Sequence, residues 1–506
     1  MLAAVSKEPL RRSGSFFAAM QTLTIFLLAA GAAWAMSGWE PVELLQTRYD
    51  EVRIVQFALF ALLLPLFARS GAPLPRGART AFLALLAIGV VSASFAEFPT
   101  YGFVELGLMS ALACAGLAAR EWTATHDNLR PLIILVTSAG ALVLGTRLLI
   151  DFIAAFATSD ARGLASAWLP FTTPRFFAKA ATWALPLLWC VPLLLDRHRT
   201  ITRFCCTAAA VAISAQVIGT GSRGAVVGIG MAMLACLFLG QTGRSYARWQ
   251  LLMGMLGFLL WRVVETSSGL ATSRRLAMTA LNGRAQLNAA AWADIQSSPW
   301  IGIGPMQYSA VDHHPKVFGA GTHDFALQFA AEWGIPAAMM LFALGAWWFW
   351  ATAQSIRLRN AAGQPTEKRD AAIDTAIFAG ATAALVHGLV ANVFNDPVSQ
   401  LIAVLLIGIS IPSRRNAVEL TKGRSRLLRS VLAVFCLAAS GMAISLGRTC
   451  IQPDSVQLPR GSTVFPRLWS QGLIPYSKTC RLTSSEASIP EFPPGEHIDP
   501  RLNPPQ

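Results

Sequence analysis

F-F-A-A-M-Q-T-L-T-I-F-L-L-A-A-G-A-A-W-A-M, Phe16 to Met36, runs for 21 residues without a charged side chain. About 20 such residues, coiled as an α-helix, cross the hydrocarbon core of a bilayer. In hydrocarbon every backbone N–H and C=O must be paired inside the segment, which a helix achieves and an open strand does not. Lys7, Arg11 and Arg12 precede the run and give it the look of a signal-peptide start. The run is long, however, and no small-residue cleavage site stands before the polar stretch Glu40–Glu51. The sequence therefore predicts an uncleaved first helix.

The same pattern recurs along the chain. Apolar spans are predicted at about 52–68, 80–96, 101–119, 131–152, 177–195, 204–221, 224–240, 249–265, 325–352, 373–394, 397–412 and 428–446. That makes about thirteen helices. Composition agrees: 54% of the 506 residues are hydrophobic and 13% charged, against about 25% charged in soluble domains, with a mean hydropathy of +0.49. A β-barrel would need short alternating segments, and none are visible. The expected fold class is all-α, a polytopic integral membrane protein.

A formal charge of +14 would suggest nucleic acid in a soluble protein. Here the basic residues are spread over short inter-helix loops, the pattern of the positive-inside rule and of anionic lipid headgroups. Nucleic acid is therefore not an expected partner; membrane lipids are. Arg76, Arg79, Arg120, Arg130, Arg197, Arg199, Arg357 and Arg359, with the cluster from Arg414 to Arg429, fall on one side if the N-terminus is inside. The expected layout is a cytoplasmic N-terminus (1–15), helices 1–9 (16–265) and an outside loop (266–322). Helices 10–13 with their cytoplasmic connections (323–447) and an outside tail (448–506) complete it. Cys114, Cys190, Cys205, Cys206, Cys236 and Cys436 lie in or beside spans and read as small apolar residues. Cys450 and Cys480 fall in the tail, where an oxidising compartment would let them pair. No Cys/His metal spacing is present, and no metal is expected.

Two outside segments, about Asp151 to Phe176 and about Thr266 to Thr322, exceed what a connection needs. In the second, Leu287, Ala291 and Ile295 recur at helical spacing before P-W-I-G-I-G-P (Pro299 to Pro305) breaks the chain. A partly helical loop lying on the bundle is predicted.

Three residues in this region suit chemistry on an anion and a hydroxyl. Arg223 stands in G-T-G-S-R-G-A (Gly219 to Ala225), between glycines that permit close approach, at an outside junction where the charge bias disfavours arginine. It could hold a phosphate bidentately or simply snorkel to the interface. Arg284 opens the loop helix, where a first-turn cation and the helix N-terminus both favour an anion; a plain solvated charge is the alternative. His323, in G-T-H-D-F-A-L-Q-F-A-A-E-W-G-I-P-A, can accept a proton near neutrality or lie as an interfacial or capping residue. Asp324 is adjacent in sequence and need not orient the ring. His313 and His314 are nearby loop residues. His387 is an ionisable group inside a span, which invites suspicion, and Asp396, in N-D-P, reads as turn chemistry. No phosphate-binding glycine fingerprint or Walker loop is present. An enzyme working outside the cytoplasm lacks nucleotide donors, so its donor must arrive already activated on a lipid.

Taken in order, these segments resemble the O-antigen ligase and O-antigen polymerase superfamily of membrane glycosyltransferases. T-P-R-F-F-A-K-A-A-T-W-A-L-P-L-L (Thr173 to Leu188) resembles the opening of a middle span of that family, and G-S-R-G-A its Ser-Arg-Gly element. G-R-A-Q-L-N-A-A-A-W-A-D-I-Q-S-S-P-W-I-G-I-G-P (Gly283 to Pro305) is similar to its loop motif. H-D-F-A-L-Q-F-A-A-E-W-G-I-P (His323 to Pro336) is similar to its histidine signature, with Asp324 where Asn is usual. The likeness covers roughly the middle half of the chain; the last helix and tail fall outside it.

The resemblance implies a GT-C-like bundle in a bacterial inner membrane, with its active site facing the periplasm and no cofactor or metal. It implies transfer of a glycan from undecaprenyl pyrophosphate to an acceptor hydroxyl, with inversion at the anomeric carbon. His323 would be the general base, and Arg223 and Arg284 the catalytic cations that bind the pyrophosphate. The acceptor would be lipid A–core (ligase), a lipid-linked glycan (polymerase) or a protein hydroxyl (oligosaccharyltransferase). A transporter or flippase is the alternative of another class. It would show repeat symmetry and ionisable groups at the bilayer midplane, and no repeat is visible.

Overall fold

A computed structural model of the protein describes residues 8–39, 48–69, 76–126, 128–158, 171, 174–195, 199–268, 284–309, 321–411 and 422–450. These residues form fifteen α-helices and two single 3-10 turns, with no strand among them. In chain order the helices are α1 Glu8–Ser37, α2 Arg48–Arg69, α3 Arg76–Ser94, α4 Pro99–Thr125, α5 Leu129–Thr158, α6 Pro174–Leu194, α7 Arg199–Gly219 and α8 Arg223–Leu237. There follow α9 Gln241–Ser268, α10 Arg284–Ser297, α11 Phe325–Trp333, α12 Ile335–Ala362, α13 Pro365–Gly388, α14 Pro397–Ser410 and α15 Lys422–Cys450. Eight of them are long and apolar enough to cross a membrane, and stretches of four more are apolar but shorter. The protein is an all-α, multi-pass membrane protein.

Lipid offers helices no hydrophobic reason to associate, so close contact depends on small residues. Gly116 of α4 and Gly408 of α14 meet backbone to backbone: a Cβ added at Gly408 would stand 2.5 Å from the Gly116 carbonyl oxygen. At the centre, α6 and α13 bury most of their residues against each other and against α8. Pro186 and Pro192 lie inside α6, a use of proline that membrane helices tolerate. These two enclosed helices are the rigid frame of the site described below.

Two predicted boundaries move. The first long outside segment shortens, because α5 continues to Thr158. More consequentially, the single span expected at 325–352 is two helices. Gly334 divides α11 from α12 with φ 84° and ψ 161°, a region open in practice only to glycine. Pro336 then sits in the first turn of α12, where its missing N–H is harmless. The hydropathy run concealed the break because apolar residues continue on both sides. In consequence α11 belongs with the loop.

Within that loop unit the predicted stripe of α10 holds, since Leu287, Ala291 and Ile295 are its buried residues. Ala291 and Ile295 cluster with Tyr308 and Ala331, and the Tyr308 hydroxyl donates to the Leu287 carbonyl at 2.8 Å. The P-W-I-G-I-G-P segment pairs the last carbonyls of α11, which the helix itself leaves without partners. Ile303 N–H donates to Ala331 O at 2.9 Å and Gly304 N–H to Glu332 O at 3.0 Å. Ile335 N–H donates to Pro299 O at 2.8 Å. The unit is tied to the bundle by the Ser92 hydroxyl, which donates to Glu332 O at 3.0 Å. Gln307 adds two bonds with the Phe98 backbone, at 2.9 and 3.0 Å.

Gly334→Ala should therefore loosen the loop. The new Cβ would lie 2.5 Å from the Trp300 carbonyl oxygen, and the backbone conformation alone costs a non-glycine residue about 1–3 kcal/mol. The expected outcome is a lower Tm and faster proteolytic cleavage of the loop in detergent-purified protein. Unchanged cleavage would show that this junction does not hold the loop.

Candidate active site

The His323 turn is built by its neighbours. Asp324 is the N-cap of α11, its carboxylate accepting from Ala326 N–H at 3.0 Å and Leu327 N–H at 3.2 Å. The Thr322 hydroxyl donates to the Asp324 carbonyl at 2.5 Å and accepts from Asp324 N–H at 3.0 Å. His323, clamped between them, has φ 61°, a left-handed conformation that histidine visits more readily than most residues. The capping role is thus filled by Asp324, and the imidazole is left for another purpose. Strain of this kind gathers at functional sites.

Around His323 the sequence places cations from separate elements. Arg175 and Lys179 lie one turn apart on α6, Arg223 is the first residue of α8, and Arg284 is the first residue of α10. Burial, then Arg175, Arg284 and Lys179 in turn, lower the His323 pKa to about 4. Burial also disfavours the charge of Arg284, and Arg175 and Arg223 add to the effect. Arg223 thus faces Arg284, while the groups acting on His323 are Arg175, Arg284 and Lys179. Arg175, Arg223 and Arg284 each occupy the first turn of a helix, where the backbone dipole adds positive potential. Like charges gathered at positive helix ends repel one another. They make physical sense as a receptor for an anion.

The floor of the site is polar and buried. Lys179 is 5% exposed, with its ammonium 4.0 Å from the Phe176 ring centre. Asp396 is its opposite charge; burial raises the carboxyl pKa, against the pull of Lys179, the capped backbone N–H groups and Arg53. That aspartate caps α14, accepting from Ser399 N–H at 3.3 Å. Arg53 of α2, itself buried, braces this corner with bonds to Gln400 at 2.5 Å, the Tyr49 hydroxyl at 3.1 Å and the Asn395 carbonyl at 3.3 Å. His387, in the last turn of α13, lies against Gly224. Among the described residues no three His, Cys, Asp or Glu side chains cluster as metal ligands; the groups near His323 suit an anion.

All three residues singled out from the sequence, His323, Arg223 and Arg284, thus lie in one region. Arg175, Lys179 and Asp396 join them and were not identified from sequence. The signal for the first two was available: cations at i and i+4 on a helix end that the charge pattern predicts to lie outside, against that same bias. Asp396 is both turn residue and partner of Lys179. His313, His314 and Cys480 lie outside the described residues, as does the tail beyond residue 450.

Residues 208–342 match the family model described as O-antigen ligase. The matched segment reaches from α7 into α12 and contains Arg223, Arg284 and His323. Arg175, Lys179, His387 and Asp396 lie outside it. No curated protein matches the chain.

Proposed function

From the match of residues 208–342 to the family model described as O-antigen ligase, we propose that this membrane protein transfers a glycan from undecaprenyl pyrophosphate to an acceptor hydroxyl. One observation carries the reading: His323 lies buried beside cations of α6 and α10, with Arg223 of α8 next to Arg284. A hydroxyl nucleophile must lose a proton, and a pyrophosphate leaving group must gain stabilisation of its negative charge. The site holds a group for each task.

In the proposed step the acceptor oxygen attacks the anomeric carbon from the face opposite the pyrophosphate. The bond from that carbon to the phosphate oxygen breaks, and its electron pair leaves with the pyrophosphate. The hydroxyl proton passes to the His323 imidazole. Arg284, Arg223, Arg175 and Lys179 hold the leaving group, with the arginines able to grip phosphate oxygens in pairs. Single displacement inverts the anomeric configuration. The surface around His323 faces the periplasm in this reading, where no nucleotide sugar is at hand, and the membrane is the inner membrane of a bacterium. The description of the matched family favours lipid A–core as acceptor.

The test is reconstitution of the purified protein in liposomes with a synthetic polyprenyl-pyrophosphate-linked oligosaccharide and one acceptor at a time. The arms are lipid A–core, a second lipid-linked glycan and a serine-rich peptide. Expected is a new glycoside on lipid A–core together with released polyprenyl pyrophosphate. Product in another arm reassigns the acceptor. Movement of the donor across the bilayer with no new glycoside in any arm identifies a flippase and overturns the proposal.

A further inference from the structure

His387 has no task in the mechanism above, yet its surroundings are those of a ligand contact. It stands in the last turn of α13, is 2% exposed, and its Nδ1 has no hydrogen-bond partner among the described residues. A histidine at this point of a helix can serve the final carbonyls or the dipole, but among the described residues neither ring nitrogen bonds to a carbonyl.

The placement of the ring is specific. A Cβ added to Gly224 would stand 2.8 Å from His387 Cδ2 and 3.5 Å from Nε2. The imidazole edge therefore fills the space that the absent side chain of Gly224, the residue after Arg223, leaves. Its charged neighbours are Lys179 and Arg284, and no hydrogen bond joins it to either among the described residues. An imidazole set beside Lys179 and Arg284, with no hydrogen bond to either among the described residues, lies where a shared anion would touch it.

We infer that His387 is a substrate-binding residue of this site, its Nε2–H donating a hydrogen bond to a phosphate oxygen of the donor's pyrophosphate. The inference rests on the transfer reading given above. It adds a neutral, directional donor to a set of charges. Cations fix how strongly the anion is held, whereas a single N–H from a rigid, enclosed helix fixes which oxygen faces which way. Orientation of the leaving group relative to the acceptor depends on such a contact.

Glutamine and asparagine separate this role from packing. The amide nitrogen of glutamine reaches the place of Nε2, and that of asparagine only the place of Nδ1. The probe is inorganic pyrophosphate, titrated calorimetrically into the full-length protein in detergent. His387→Asn should weaken pyrophosphate binding about tenfold or more, the worth of one hydrogen bond to a charged group, while His387→Gln stays within about threefold of the parent. Equal affinities for both variants, unchanged or weakened alike, overturn the assignment.

If His387→Asn does not assemble, Gly224→Ala carries the test by pressing a methyl group onto the ring edge. Parent-like affinity in that variant overturns the assignment, and weakened affinity supports it. Arg284→Ala is titrated in parallel. Parent-like binding there removes the pyrophosphate site itself and the transfer reading with it. Weakened binding there, beside unaffected His387 variants, removes His387 alone.

Discussion

Replacing His323 by asparagine is expected to lower glycan transfer by about 10²- to 10⁴-fold, the usual worth of a positioned general base, with donor affinity within a few-fold of the parent. Asparagine is the informative substitution because of the backbone. At φ 61° alanine loses roughly 1–2 kcal/mol to the left-handed conformation, so His323→Ala confounds lost chemistry with a weakened turn. Asparagine tolerates that conformation and cannot take a proton at neutral pH. The Thr322 and Asp324 hydrogen bonds that clamp the turn remain in either variant. Parent-like turnover by His323→Asn in the liposome assay would remove the base from the mechanism.

The pH dependence follows from the same surroundings. A base acts in its unprotonated form, so activity is lost as pH falls through its pKa. In the ligand-free protein the His323 pKa is lowered to about 4, by burial first and then by Arg175, Arg284 and Lys179. The imidazole is therefore neutral at pH 7, but its affinity for a proton is poor. A bound pyrophosphate offsets the field of those cations and raises that affinity toward the range where proton transfer is efficient. The acid limb of kcat/KM, which reports the free enzyme, should thus lie lower in pH than the acid limb of kcat. Coincident limbs would mean that the donor does not tune the base.

The difference between what is local and what is assembled explains how far the sequence could be read. Uncharged runs of bilayer length identify the fold class without help from tertiary contacts, and the buried stripe Leu287, Ala291 and Ile295 is a matter of helical spacing alone. Gly334 was legible in principle, since a glycine followed by a proline in the next turn marks one helix ending and another starting. The apolar residues on both sides outweighed it. The gathering of Arg175, Lys179, Arg284 and His387 belongs to another class. They stand on three separate helices, and nothing in the spacing of one helix says which residue of another it faces. A family likeness supplied Arg223, Arg284 and His323 from their local motifs; it covered the segment of Arg175 and Lys179 without giving either a role, and it did not reach His387.

Arg284→Ala is the second large effect. The variant should lose transfer by about 10²- to 10³-fold, the range seen when a preorganised donor to a developing negative charge is removed, and should also lose pyrophosphate affinity. Arg284→Lys should recover only part, because an ammonium keeps the charge but not the two-pronged grip. A merely structural arginine makes a different prediction. Arg284 is partly buried at the start of α10, and its charge is disfavoured by burial and by Arg175 and Arg223. Without a ligand its removal relieves repulsion, so the ligand-free variant should melt no lower than the parent while pyrophosphate no longer raises its Tm. The neighbouring base reports the same loss. With one of its three cations gone, His323 should bind a proton more readily, and the acid limb of kcat/KM should move up toward the ordinary histidine range near 6.5. A variant that melts early, keeps its pyrophosphate-induced shift and leaves that limb in place would make Arg284 a scaffold residue, and the anion site would then have to be sought elsewhere.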